Sequence, residues 1–182
     1  MIFRRVFFLA IAVLSLAMVD RAWAVDANTV YLDTKDGRVT IELRPDLAPG
    51  HVAQIKKLVA QGFYNGIVFH RVIEGFMAQT GDPTGTGTGG SKEPDLKAEF
   101  TQTPFKRGTI GMARSSSPNS ANSQFFICFG EYPSLNGQYT VVGQVTAGMD
   151  IVDKIKKGSN ADNGSVASPD KIVKMQLAGD AK

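Results

Sequence analysis

What most constrains this chain is a rhythm of short β-favouring runs. From residue 29 to 177 none is much longer than about eight residues, and glycine, proline or an Asp/Asn turn closes each one. Val30–Thr34 and Arg38–Leu43 flank Asp36-Gly37, a pair suited to a type I′ turn, and so predict a hairpin. Pro45 and Pro49 bracket a loop. "GIVFHRVI", "GFMAQT", "GTIGMAR" (108–114), "SQFFICF" (123–129), "YTVVGQV" (139–145) and Lys171–Leu177 follow as strands. Helical spacing is confined to two stretches. One runs from about His51 to Gln61, with Val52, Ile55, Leu58 and Val59 on one face and Gly62 as its stop; the other covers about Met149–Lys156. Seven or eight strands with two helices predict an antiparallel barrel or sandwich plugged by helices. No repeat, linker or shift in composition marks a second domain. Segment 156–170, "KKGSNADNGSVASPD", reads as a surface loop.

The first residues are set apart from this pattern. Arg4 and Arg5 precede an apolar run from Val6 to Val19, and Ala22-Trp23-Ala24 offers small residues where a signal peptidase reads. That run is short for a bilayer span, so residues 1–24 are expected to be a cleavable signal peptide and residues 25–182 the mature domain, periplasmic or secreted. Removing the leader takes three of the 20 basic residues (Arg4, Arg5, Arg21) and one of the 17 acidic ones (Asp20), leaving a formal charge of +1. The sequence pI near 9.0 is therefore partly a property of the leader. A nearly neutral domain carries no electrostatic footprint for nucleic acid or anionic membranes.

Conventional catalytic chemistry finds little support. The loop "GDPTGTGTGGSK" (81–92) has Ser91-Lys92 after Gly90 instead of the Lys-Ser/Thr of a phosphate cradle, and it reads as a flexible glycine-rich surface loop. Two histidines and one cysteine make no metal-ligand set. Cys128 cannot form an internal disulfide and reads as a strand residue. His51 reads as a surface histidine at a helix start, and His70 as a neighbour supporting Arg71. A hydrolase built on His70 lacks a nucleophile elbow.

Strand alternation is more informative. Along "SQFFICF", Gln124, Phe126 and Cys128 share one face, and Phe125, Ile127 and Phe129 share the other. The second is core. The first carries an amide beside a large ring, and "GFMAQT" likewise pairs Met77 with Gln79. Apolar groups with a few polar neighbours suit a binding groove, yet composition leaves groove and core equally open.

"VFHRVIEGFMAQTGDPTGTGTGG" and "SQFFIC" closely resemble the two central motifs of the cyclophilins, peptidyl-prolyl cis-trans isomerases, over essentially all of residues 29–178. "GTIGMARSSSPNSANSQFFI" resembles the bacterial branch, exported or cytosolic. The resemblance implies a mainly β fold: a closed eight-stranded antiparallel β-barrel with two capping helices. It places the catalytic arginine on Arg71, with Gln79 beside it. Phe76, Met77, Phe126 and Leu135 then form the proline pocket, with Tyr139 lining it where eukaryotic members carry a histidine. Gln124 is an amide beside the peptide, and Ala113 and Arg114 form the strand edge that binds substrate backbone; the family often has Asn at the Arg114 position. Ser134 replaces a tryptophan, which implies weak cyclosporin binding. No cofactor or metal is implied. The expected partners are proline-containing segments of unfolded proteins, met by a monomer without stable membrane association. The rival from another class is a catalytically silent cyclophilin-like module that clamps such segments.

Overall fold

The computed structural model describes residues 27–181, so the expected leader lies outside the described residues. The strands are β1 (Thr29–Thr34), β2 (Gly37–Leu43), β3 (Arg71–Ile73), β4 (Met77–Thr80), β5 (Thr109–Met112), β6 (Phe125–Cys128), β7 (Val141–Ala147) and β8 (Lys174–Leu177). Helix α1 (Pro49–Ala60) follows β2 and helix α2 (Met149–Lys154) follows β7. The strands form one antiparallel sheet in the order β3-β4-β6-β5-β7-β2-β1-β8.

The expected closed barrel is corrected to an open half-barrel, because β3 and β8 form no ladder with each other. Residues 66–70, predicted to extend β3, instead exchange backbone bonds with an irregular segment: Gly66 N–H reaches Ile172 O at 2.7 Å and Phe69 N–H reaches Asp170 O at 2.8 Å. One isolated bridge, Val68 with Lys171, is all the pairing there.

Alternation sorts the core as expected. Phe125 and Ile127 join the main cluster with Leu32, Ile41 and the Val52, Ile55, Leu58 and Val59 face of α1. Phe126 and Cys128 point the other way, into a smaller cluster with Met77, Phe105 and Val141. Burial pushes the Cys128 thiol up to about 12, so it is an inert strand residue.

Two local expectations fail for identifiable reasons. In the hairpin, Thr34 pairs with Gly37, so Lys35-Asp36 are the turn residues and only Gly37 has positive φ (137°). The Thr34 hydroxyl accepts from Asp36 N–H at 3.2 Å and donates to Gly37 O at 3.2 Å, favouring this turn over type I′. His51 is not on the surface: it is fully buried. The start of α1 has no local side-chain cap. Glu99 supplies one from far along the chain, accepting from Gly50 and His51 N–H at 3.0 Å each, with His51 Nδ1 2.6 Å from Glu99 Oε2.

Candidate active site

The smaller cluster is the floor of a cleft of about 600 Å³. Antiparallel register builds it: Arg71 stands opposite Gln79 across β3–β4, and Gln79 opposite Phe126 across β4–β6. Period two then brings Met77, Gln79 and Phe126 to the same side of the sheet as Arg71. Phe126 stacks on Phe105 with centroids 5.9 Å apart and meets Tyr139 edge-on at 5.7 Å. Gly111 on β5 makes room for them, since a methyl there would sit 2.5 Å from Phe126 and 2.6 Å from Phe105. Phe76 is braced edge-on by Tyr132, whose hydroxyl donates to Gly75 O. Leu135, from a short 3₁₀ turn over Pro133–Leu135, completes the apolar wall.

The polar side is one connected chain. Gln124 Nε2 donates to Gly87 O (3.0 Å) and Gly89 O (2.8 Å), while its Oε1 accepts from Gln79 Nε2 at 2.9 Å. Gln79 Oε1 accepts from Arg71 Nη1 at 3.2 Å. The other end of the fork is held by Asn163: Nε donates to its backbone O at 2.9 Å and Nη2 to its Oδ1 at 2.8 Å. Burial pushes the Arg71 guanidinium down from its ordinary value, and Tyr139 partly offsets this. A guanidinium starts so far above neutrality that it remains charged.

The glycine-rich stretch expected to be flexible is organised around Asp82, which is buried. Its carboxylate accepts from the N–H groups of Thr84, Thr86, Gly87 and Gly89 at 2.7, 3.1, 2.6 and 3.1 Å. Burial alone would raise this carboxyl; the Thr84, Gly89 and Gly87 hydrogen bonds outweigh it and hold it at about 2.

Arg71, Phe76, Met77, Gln79, Ala113, Arg114, Phe126, Leu135 and Tyr139 all line the cleft. Gln124 sits behind it, on an adjoining polar cleft of about 580 Å³. Ala113 and Arg114 follow directly on β5, which ends at Met112, with Ala113 N–H donating to Gln124 O at 2.9 Å. Both lie where the two clefts meet. His70 lines the cleft with both ring nitrogens lacking a partner among the described residues. Burial lowers its pKa, Asp82 raises it and Arg71 lowers it. Among the described residues no carboxylate bonds this ring to orient it as a base.

Sequence reasoning missed Asn163, Tyr132 and Phe105. The signal for the first was legible: Asn163-Gly164 is the type I′ pair that Asp36-Gly37 is not. Asn163 has φ 53° and Gly164 φ 81°, and Ser165 N–H closes the turn on Asp162 O at 3.0 Å.

A family profile described as "Cyclophilin type peptidyl-prolyl cis-trans isomerase/CLD" matches residues 29–177. The chain belongs to the cyclophilin-type peptidyl-prolyl cis-trans isomerase family. Isomerisation of X-Pro bonds is accordingly its activity. A "Probable peptidyl-prolyl cis-trans isomerase" of Brucella suis biovar 1 is 62% identical over 95% of this chain and 94% of its own length. A peptidyl-prolyl cis-trans isomerase of Helicobacter pylori (strain J99) is 45% identical over 72% of this chain and 84% of its own. Among solved structures, a cyclophilin from Hirschia baltica aligns with a TM-score of 0.77 at 29% identity, over 86% of this chain and 76% of its own. A Cryptosporidium parvum cyclophilin crystallised in the presence of the dipeptide Ala-Pro aligns with a TM-score of 0.74 at 29% identity, over 82% and 98%.

Proposed function

We propose that this cyclophilin seats proline in the apolar cleft, rotates the preceding bond under the charge of Arg71, and does so on exported proteins. One observation carries the assignment: a guanidinium clamped by neutral oxygens beside a pocket of Phe76, Met77, Phe126 and Leu135. The Ala-Pro dipeptide present with the Cryptosporidium parvum protein supports a proline-containing ligand.

Resonance gives the peptide C–N bond partial double-bond character and a barrier of ~18–20 kcal/mol. Twisting it localises the nitrogen lone pair, so a cation aimed there favours the twisted state over both planar isomers. Arg71 uses three of its five N–H groups on Gln79 and Asn163, leaving one on Nη1 and one on Nη2 without an acceptor among the described residues. Those two are the working donors. The apolar wall holds the ring while the imide turns. No bond is broken, and no proton is gained or lost.

A protease-free exchange assay on a short X-Pro peptide tests this. Arg71→Ala should lower kcat/KM by roughly 10²–10³, with Arg71→Lys rescuing only in part. The wild-type rate should stay flat across neutral pH. A folded Arg71→Ala protein turning over at wild-type rate would sink the assignment.

Weak cyclosporin inhibition belongs to the same reading. Ser134 is exposed in the 3₁₀ turn and offers no ring to pack on a drug. Ser134→Trp should tighten inhibition about tenfold or more; equal inhibition of both forms would count against it.

A further inference from the structure

The five arginines of the described residues divide by how they are held. Arg38, Arg44 and Arg107 each lie on a carboxylate, of Asp33 at 2.7 Å, Asp46 at 2.6 Å and Asp153 at 2.6 Å. The two that line the cleft do not. Arg71 is held by Asn163 and Gln79. Arg114 donates from Nε and Nη2 to Gln138 O at 3.2 and 3.0 Å, and from Nη1 to Ser115 O at 2.9 Å and Ser116 O at 3.5 Å. Neither guanidinium has a carboxylate oxygen within 4.0 Å among the described residues.

Carbonyl oxygens fix a guanidinium in place without cancelling its charge. Asp162 lines the cleft that both arginines border, without an ion pair to either. The Arg114 Cζ lies 4.7 Å from the Tyr139 ring centroid and 5.8 Å from that of Phe100, so the fork is stacked as well as tied. It also borders both clefts, whereas Arg71 borders only the first. Among the described residues, the one carboxylate on the second cleft is Asp95, which accepts from Asn122 Nδ2 at 3.0 Å. A peptide with proline in the first cleft carries its flanking residues past a fixed cation that contacts no carboxylate among the described residues.

We propose that Arg114 is a specificity-determining residue selecting proline segments with an aspartate or glutamate within two residues of the proline. This rests on the reading of the apolar cleft as the proline site. Two opposite unit charges in contact at a wet surface are worth about three- to tenfold in relative rate, and salt screens them with a Debye length of about 10 Å at 0.1 M.

The test is a peptide series with Glu, Gln or Lys at each of the two positions on either side of a single proline. Exchange is measured by NMR, without protease, for wild type, Arg114→Gln and Arg114→Lys at low and high salt. In wild type at low salt, Glu should exceed Gln in kcat/KM by about three- to tenfold at one position or more, with Lys below Gln. Arg114→Gln and high salt should each collapse that ratio, and Arg114→Lys should keep most of it. Equal rates for Glu and Gln peptides at every position, or a ratio untouched by Arg114→Gln, overturns the selection. Should Arg114→Gln fail to fold, a wild-type ratio indifferent to salt overturns it equally. Turnover of the neutral Gln peptides reports on the proline site separately: no turnover of any peptide fails both readings, while equal turnover of all fails only the charge selection.

Discussion

Asn163 holds the Arg71 fork at two points through a backbone conformation that few residues accept. At φ 53° its carbonyl meets Nε and its side chain meets Nη2. Asn tolerates this left-handed region better than most residues, and Gly164 takes the next position at φ 81°. A glycine at 163 would keep the turn and the carbonyl bond and remove only the side-chain bond. Asn163→Gly should therefore lower kcat about tenfold, the scale of one hydrogen bond to a charged group, with KM and melting temperature little changed. In an Arg71→Ala background the same change should do almost nothing. Equal losses in both backgrounds, read from exchange rates of the four proteins, would show that Asn163 acts through something other than Arg71.

At the scale of elements, the decisive unit is the loop from Gly81 to Gly90, folded on the Asp82 carboxylate. The loop presents the Gly87 and Gly89 carbonyls that hold Gln124, and through it Gln79 and Arg71. The Asp82 carboxyl is held at about 2, against an ordinary value of 3.8. A depressed carboxyl contributes stability that is fully present above its unfolded value and is lost as pH falls through the folded one. The window here runs from about pH 4 down to about pH 2, and the contribution at neutral pH is roughly 2 kcal/mol. Asp82→Asn should be less stable than wild type by about that amount at pH 7, and the two should converge near pH 2. Denaturant midpoints across this range decide it. A difference that does not change with pH would assign the loss to packing instead.

The whole molecule is an incomplete barrel, and the irregular segment that covers the edge of β3 also lines the active-site cleft. Along the outer edge of β3, Val72 N–H donates to Gly164 O at 2.8 Å and Gly158 N–H to Val72 O at 2.9 Å, while Val166 N–H reaches His70 O at 3.1 Å. The irregular segment thus covers an edge that would otherwise invite pairing with another chain. It also delivers Asn163, Asp162 and Ser165 to the cleft. Residues 1–24 bear on the proposed export. Cleavage after Ala24 should yield a mature chain starting at Val25, and intact-mass measurement of the exported protein checks this. Recovery with residues 1–24 attached, in the membrane fraction, would favour an anchor.

The sequence by itself determined the strands, the two helices and the division of β6 into a core face and a site face. Period two and period 3.6 are properties of the local backbone and can be read in a short window. It also pointed, through two motifs, to Arg71, Phe76, Met77, Gln79 and Phe126, which lie within or between neighbouring strands. Tertiary structure alone decided the rest. Asn163 reaches Arg71 across 92 residues, Glu99 caps α1 at His51 across 48, and Asp82 gathers a loop that composition marks only as glycine-rich. β3 does not meet β8 because the irregular segment bonds along that edge. No local period encodes that, because it is set by where the entire chain has already gone.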